Sequence, residues 1–98
     1  MKPKIKLGED GKRLFSLVGN PSRLGILWAL WKTREELSIG RISQYSDLRK
    51  GTVRVNLPKL VESGLVSRRA YGAVVVYALN RESAQLNALT KFFAEARL

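Results

Sequence analysis

Cysteine and histidine are both absent from this chain of 98 residues. Their absence excludes disulfides, thiolate chemistry, imidazole acid/base catalysis and the usual zinc sites. Long apolar runs are missing too, because no stretch approaches the roughly 18 apolar residues that a membrane helix needs. No signal-peptide pattern opens the chain. We therefore expect a cytoplasmic protein with no membrane partner, no metal and no cofactor.

Acidic residues are scarce, with eight Asp and Glu against eighteen Lys and Arg, for a net charge of +10. Such a chain is expected to bind a polyanion, and nucleic acid is the first candidate. Residues 41–69 carry seven basic and two acidic side chains, so half of the excess charge lies in this middle segment. The adjacent carboxylates Glu35-Glu36 fall on a predicted loop where neighbouring side chains diverge. We expect no enzyme.

Apolar residues at helical spacing predict four helices in the first two thirds of the chain. A short first helix runs from about Glu9 to Val18. The second helix is capped by Asn20, with Pro21 in its first turn, and holds Trp28 and Trp31 on its apolar stripe. The third is expected to be capped by Ser38, and the fourth spans residues 49–63 and ends at Gly64. The tryptophans on this stripe indicate core packing rather than a stacking platform.

Two β-prone runs, residues 65–70 and 73–79, follow the fourth helix and predict a hairpin with its turn at Tyr71-Gly72. Asn80 is then expected to cap a last helix. The predicted class is α+β, mainly α: a winged helix-turn-helix with four helices, a hairpin wing and a C-terminal helix. Residues 1–8 form a basic arm, residues 9–80 the DNA-binding domain, and residues 81–98 the C-terminal helix.

The fourth helix separates into two faces when its positions are placed 100° apart. The side that must pack on the domain gathers Val53, Leu57, Leu60 and Val61. The side that points away carries Thr52, Val55, Lys59 and Glu62, with Arg54 and Asn56 on the flanks. Arg49 and Lys50 stand at the N-terminus, where free N–H groups favour phosphate. Such a helix can enter the major groove of DNA, with Arg54 suited to guanine and Asn56 to adenine.

Three segments resemble the ArsR-like family of winged helix-turn-helix regulators. Residues 17–27, LVGNPSRLGIL, are similar to the family's opening motif, and residues 36–57, ELSIGRISQYSDLRKGTVRVNL, match its helix-turn-helix without a gap. Residues 60–66, LVESGLV, resemble the lead into the wing. The similarity spans roughly residues 14–80.

The resemblance implies a homodimer, paired through its first and last helices, on a near-palindromic operator in double-stranded DNA. It also implies a set of DNA-contacting residues on the recognition helix and wing. With Lys59 added from the helix face, the predicted set is Arg49, Lys50, Thr52, Arg54, Val55, Asn56, Lys59, Arg68, Arg69 and Tyr71.

Three features depart from the family pattern. Metal-sensing members use Cys or His ligands, and this chain has neither, so sensing of thiophilic metals is excluded. Arg49 stands where the family has a capping serine. Pro58 falls inside the recognition helix, where we expect a kink near the third turn.

The apolar stripe of the C-terminal helix is wider than a small core requires. We predict a dimer seam there, completed by apolar residues of the first helix. The predicted interface comprises Leu14, Phe15, Val18, Leu86, Leu89, Phe92, Phe93 and Ala96.

These observations favour a sequence-specific transcriptional regulator, with repression as the expected action. Two alternatives stay open at this point. A weakly specific architectural DNA binder needs only the positive charge, and a winged-helix module that docks other proteins would use its apolar helices instead of the groove.

Overall fold

The computed structural model describes residues 7–98, so the predicted basic arm lies almost wholly outside the described residues. Within that range the elements follow in the expected order, and the mainly helical winged helix-turn-helix is confirmed. The elements are α1 (Glu9–Val18), α2 (Pro21–Thr33), α3 (Ile39–Ser46), α4 (Lys50–Glu62), β1 (Val66–Tyr71), β2 (Val74–Leu79) and α5 (Ala84–Glu95).

Side-chain caps define the starts of three helices. The Asn20 side-chain oxygen accepts hydrogen bonds from the backbone N–H groups of Ser22 (2.9 Å) and Arg23 (3.2 Å), as expected for the cap of α2. The Ser38 hydroxyl accepts one from Arg41 N at the start of α3. These two predicted caps are confirmed.

The predicted cap of the last helix is wrong. Ser83, not Asn80, caps α5, with its hydroxyl accepting a hydrogen bond from Leu86 N at 3.2 Å. The Asn80 amide instead donates to the Gly64 carbonyl oxygen at 2.7 Å, across the base of the wing. Asn80 therefore joins the end of β2 to the loop before β1.

Helix α2 lies at the centre of the domain and contacts α1, α3, α4, α5 and β2. Because neighbours surround it, buried side chains occur on more than one stripe: Ile26, Leu27, Ala29 and Leu30 are all enclosed. Trp31 is partly buried and packs against Phe93 of α5, with 5.5 Å between ring centroids. The core is thus built outward from α2.

The two strands pair antiparallel, with Val66 opposite Leu79 and Tyr71 opposite Val74. This register leaves Gly72 and Ala73 as the loop, one residue later than the predicted turn. Gly72 has φ +62°, which a residue without a Cβ adopts freely. The wing is anchored at its base by two backbone hydrogen bonds between Leu37 and Tyr77, of 2.8 and 2.9 Å.

Helix α4 remains one helix across Pro58, from Lys50 to Glu62. Pro58 is exposed, so its ring lies on the solvent side and not against the core. Because proline has no N–H, the carbonyl oxygen of Arg54 loses its usual helical donor.

Part of the predicted dimer seam belongs to the core of a single chain. Leu86 is buried, and Phe93 is only 3% exposed because it packs beneath α2. Phe92 and Phe15, by contrast, are 59% and 60% exposed. The prediction of Leu86 and Phe93 as interface residues is therefore wrong, since their surfaces are already used within the fold.

We expect Phe93→Ala to lower the free energy of unfolding by about 3 to 5 kcal/mol, because it removes a buried ring and leaves a cavity beside Trp31. Tyr71 is exposed on the wing and provides the control. Tyr71→Ala should change the free energy of unfolding by only about 0.5 kcal/mol. Urea unfolding at one fixed protein concentration measures both. Equal losses for the two variants would contradict the packing described for α5.

Candidate nucleic-acid interface

A three-residue turn, Asp47 to Arg49, sets the direction of α4 relative to α3. Asp47 ends α3 in the left-handed region with φ +59°, a conformation that Asp tolerates better than most residues. The Ser46 hydroxyl donates to the Ile42 carbonyl oxygen (2.6 Å) and accepts from Leu48 N (3.3 Å). The Ser43 hydroxyl donates to the Leu48 carbonyl oxygen. Local hydrogen bonds thus hold the two helices of the motif at a defined angle.

One side of α4 is buried against the domain and the other faces solvent, as the sequence pattern predicts. Val53, Leu57 and Leu60 are enclosed in the core. Arg54 and Val55 are exposed, and Val55 at 66% is among the most exposed apolar side chains of the described chain. An exposed β-branched side chain next to an arginine suits a surface that contacts base edges, where apolar groups meet the thymine methyl.

The first turn of α4 has no side chain capping it. Arg49 occupies the N-cap position in extended conformation and makes no cap hydrogen bond, and Asp47 does not supply one either. The leading N–H groups of the helix are therefore available to an anion. Lys50 adds a charge at the same end, and its stem passes over Gly40, so closely that a Cβ on that glycine would sit 3.8 Å from Lys50 Cε.

Most cations of this surface have no acidic partner. All eight acidic residues fall within residues 7–98, and across that range three ion pairs are present, Lys12 with Glu9, Arg41 with Glu35, and Arg69 with Glu36. Only the last involves a predicted DNA-contacting residue. The predicted contacts that no acidic side chain in this range neutralises are Arg49, Lys50, Arg54, Lys59 and Arg68.

The two wing arginines lie on opposite faces of the hairpin, because alternate residues of a strand point in opposite directions. Arg69 Nη1 donates to the Tyr71 hydroxyl at 3.2 Å, and that hydroxyl donates to Glu36 Oε1 at 3.3 Å. The hydrogen bond to Tyr71, followed by the charges of Tyr71 and Glu36, raises the pKa of Arg69 above its ordinary value. Arg68 lies on the other face, beside Pro58 of α4.

The predicted base contact of Asn56 conflicts with its position. Asn56 is 8% exposed, and its Oδ1 accepts a hydrogen bond from Arg23 Nε at 3.0 Å. Its Nδ2 donates to the Thr52 carbonyl oxygen at 2.9 Å. Both ends of the amide are engaged inside the protein, so we remove Asn56 from the candidate DNA-contacting residues. Thr52 is half-buried at the edge of the same face.

Arg23 is a structurally important residue that is missing from the predicted functional set. Besides its bond to Asn56, its Nη1 donates to the carbonyl oxygens of Leu17 (2.9 Å) and Ser16 (3.3 Å) at the end of α1. One side chain of α2 therefore connects α1 with the recognition helix. No periodicity could have revealed this role, since it depends on partners 6, 7 and 33 positions away.

Comparison with known proteins places this geometry in a family. A family model described as "Helix-turn-helix domain" matches residues 18–69, which is more than half of the chain. The chain belongs to this helix-turn-helix family. The match covers α2, α3, α4 and most of β1. The resemblance to ArsR-like winged-helix regulators that the motifs indicated is confirmed.

Solved structures of helix-turn-helix regulators share the whole architecture. The transcriptional regulator HlyU from Vibrio vulnificus CMCP6 is 27% identical with a TM-score of 0.75, covering 91% of this chain and 88% of that one. The transcriptional repressor BigR from Xylella fastidiosa is 26% identical with a TM-score of 0.73, again covering 91% and 88%. The transcriptional repressor PagR of Bacillus anthracis is 26% identical with a TM-score of 0.70, covering 87% and 93%. A search of curated proteins finds no matching sequence.

Two further findings concern metal ligation and membrane-spanning helices. Among residues 7–98, acidic side chains nowhere gather in a group of three that could ligate a metal ion. None of the helices in that same range has the length and apolarity needed to cross a membrane.

We expect Asn56→Ala to lower the free energy of unfolding by about 1 to 3 kcal/mol, because it leaves Arg23 Nε without its acceptor in a partly buried position. Val55→Ala on the exposed face is the control, with an expected change within about 0.5 kcal/mol. Urea denaturation of both variants measures the difference. A stable Asn56→Ala protein with an altered base preference would restore Asn56 to the DNA-contacting set.

Proposed function

We propose that this protein is a transcriptional regulator that binds double-stranded DNA sequence-specifically, as a homodimeric repressor on a near-palindromic operator. The observation that carries the proposal is the exposed face of α4, with its uncapped N-terminus and its unneutralised cations. The family supports it, and BigR and PagR are both named as transcriptional repressors.

In the proposed complex the N-terminal half of α4 lies in the major groove. Arg49 and Lys50 contact phosphates at the helix start, where the free N–H groups add to the attraction. Arg54 reads a guanine edge and Val55 packs on a thymine methyl. Lys59 contacts the backbone further along the helix.

The wing contributes through Arg68, Arg69 and Tyr71, which we propose contact the backbone or the neighbouring minor groove. Glu36 holds two members of this set, Arg69 through an ion pair at 3.9 Å and Tyr71 through a hydrogen bond at 3.3 Å. An exposed ion pair of this kind contributes little energy, about 0 to 1 kcal/mol. Phosphate can therefore replace Glu36 as the partner of Arg69 at small cost.

The dimer is proposed to form through α1 and α5, with the exposed rings of Phe15 and Phe92 at its centre. Both rings are mostly exposed in the single chain, at 60% and 59%, and aromatic side chains are enriched in protein–protein interfaces. Leu14, Val18 and Leu89 are partly buried against the core, and Ala96 is exposed. These four residues surround the two rings in the proposed interface.

The test of specific binding is selection of duplexes from a random pool, followed by affinity measurements on the selected site and on random DNA over a series of salt concentrations. We expect a gap of about 10³-fold or more between the two DNAs. Binding to both should fall steeply with salt, by about 0.9 in log K per log unit for each phosphate contact. Arg54→Ala should cost about 1 to 3 kcal/mol on the selected site only, whereas Lys50→Ala should weaken both DNAs alike.

Other outcomes would replace the proposal. If random DNA competes equally with every selected sequence, the protein is a weakly specific architectural binder. If neither DNA binds, the fold is a module that docks other proteins. Equal losses on both DNAs for Arg54→Ala would remove that residue from base reading while leaving the rest intact.

The test of the dimer is sedimentation of Phe92→Glu. We expect monomers, because the substitution places a charge at the centre of an apolar contact. Phe92 is 59% exposed in the single chain, so little of its surface is used by the fold. Val74→Glu, at a similarly exposed apolar position on the wing, should leave the dimer mass unchanged. A wild-type monomer, or a Phe92→Glu dimer, would overturn the proposed interface.

A further inference from the structure

A cleft of about 480 Å³ lies between α1 and the C-terminal half of α4, away from the exposed face proposed to contact bases. Its lining comes from three helices and the residue after α4. The lining residues are Arg13, Ser16, Leu17, Arg23, Lys59, Glu62 and Ser63. A second cleft of about 270 Å³ shares four of these residues and extends towards Gln85 at the start of α5.

The charge around the cleft is strongly positive. Arg13, Arg23 and Lys59 contribute three cations against the single carboxylate of Glu62. None of the ion pairs formed among residues 7–98 involves any of these four side chains. The hydroxyl of Ser16 adds a neutral donor, whereas that of Ser63 already donates to the Leu60 carbonyl oxygen at 2.8 Å. A small anion entering this space would find several donors without first displacing an acidic partner.

Arg23 is positioned rigidly at the wall of the cleft. Three hydrogen bonds, to Asn56 Oδ1 and to the carbonyl oxygens of Ser16 and Leu17, hold its Nε and Nη1. Within residues 7–98, its Nη2 takes part in none of these bonds and donates to no other acceptor. A guanidinium held through Nε and Nη1 keeps the N–H groups of Nη2 for an oxyanion, and the entropy of ordering the side chain is already lost on folding.

The cleft is also separate from the proposed dimer interface. Arg13 and Phe15 are two positions apart on α1 and so point about 200° away from each other around the helix. A partner chain seated on Phe15 would therefore leave the Arg13 side open to solvent.

We propose that this cleft binds a small organic anion with at least two negative charges, and that the bound anion lowers the affinity for DNA. The anion neutralises Lys59 on the recognition helix. It also engages Arg23, whose Nε holds Asn56 on that same helix. The binding site stands on the geometry of the cleft alone, whereas the regulatory effect rests on the proposed function.

The test uses citrate and glucose 6-phosphate as probes, one for carboxylate and one for phosphate chemistry, with glucose and matched ionic strength in KCl as controls. Calorimetric titration into the DNA-free protein measures binding to the cleft. We expect one site per chain for at least one probe and none for glucose. Arg13→Gln should weaken that binding about tenfold, which corresponds to the loss of one charge-assisted hydrogen bond. Arg81→Gln removes the same charge outside the cleft and should leave the binding unchanged.

The second arm measures affinity for a selected DNA site with and without the bound probe. We expect the probe to weaken DNA binding about fivefold or more in the wild type, with much less effect in Arg13→Gln, whose DNA affinity without the probe should be unaltered.

The proposed site would be overturned if neither probe gave heat of binding, or if Arg13→Gln and Arg81→Gln weakened probe binding equally. A probe that binds the cleft and leaves DNA affinity unchanged would overturn the regulation alone. Failure of the protein to bind any DNA would refute the proposed function, and the titration would still decide the site.

Discussion

The burial of α2 is the constraint on which the other elements depend. The other four helices and the second strand all pack on it, so its residues are enclosed on several sides. Because α4 buries its apolar side against this central helix, its opposite side is left to solvent over roughly 20 Å, at 1.5 Å per residue. The surface that meets DNA in our proposal is thus a consequence of core packing. No additional loop or helix is needed to create this surface.

The distribution of acidic residues determines which cations remain available. Glu9, Glu35 and Glu36 each hold one basic side chain, and of these pairs only that of Glu36 reaches the wing. The cations of α4 are left unneutralised by the described acidic residues, as are those around the cleft behind it. Helix α4 therefore carries two surfaces that attract anions, one at its first turns and one at its third turn. Arg23 provides the physical link between α1 and that helix, so an event at one can affect the other.

Local chemistry was predictable where the partners are close in the chain. Asn20 caps α2 because its oxygen reaches N–H groups two and three residues on, and this reach depends on sequence spacing alone. Asn80 has the same local preference, yet its amide finds the Gly64 carbonyl oxygen 16 positions away. Ser83 then caps α5. The hairpin loop lies one residue later than the Tyr71-Gly72 dipeptide predicts, because the register follows from pairing across both strands.

The order of helices and strands, the positive middle segment and the two faces of the recognition helix can all be read from the sequence, since each follows from spacing along the chain. Which members of a face stay free depends on long-range packing. Asn56 lies on the flank of the exposed side of α4, and Phe93 lies on a stripe assigned to a dimer seam. Both side chains are engaged within the fold, by Arg23 and by Trp31. Periodicity locates a side chain around its own helix axis. It carries no information about how much of that side a distant segment will cover.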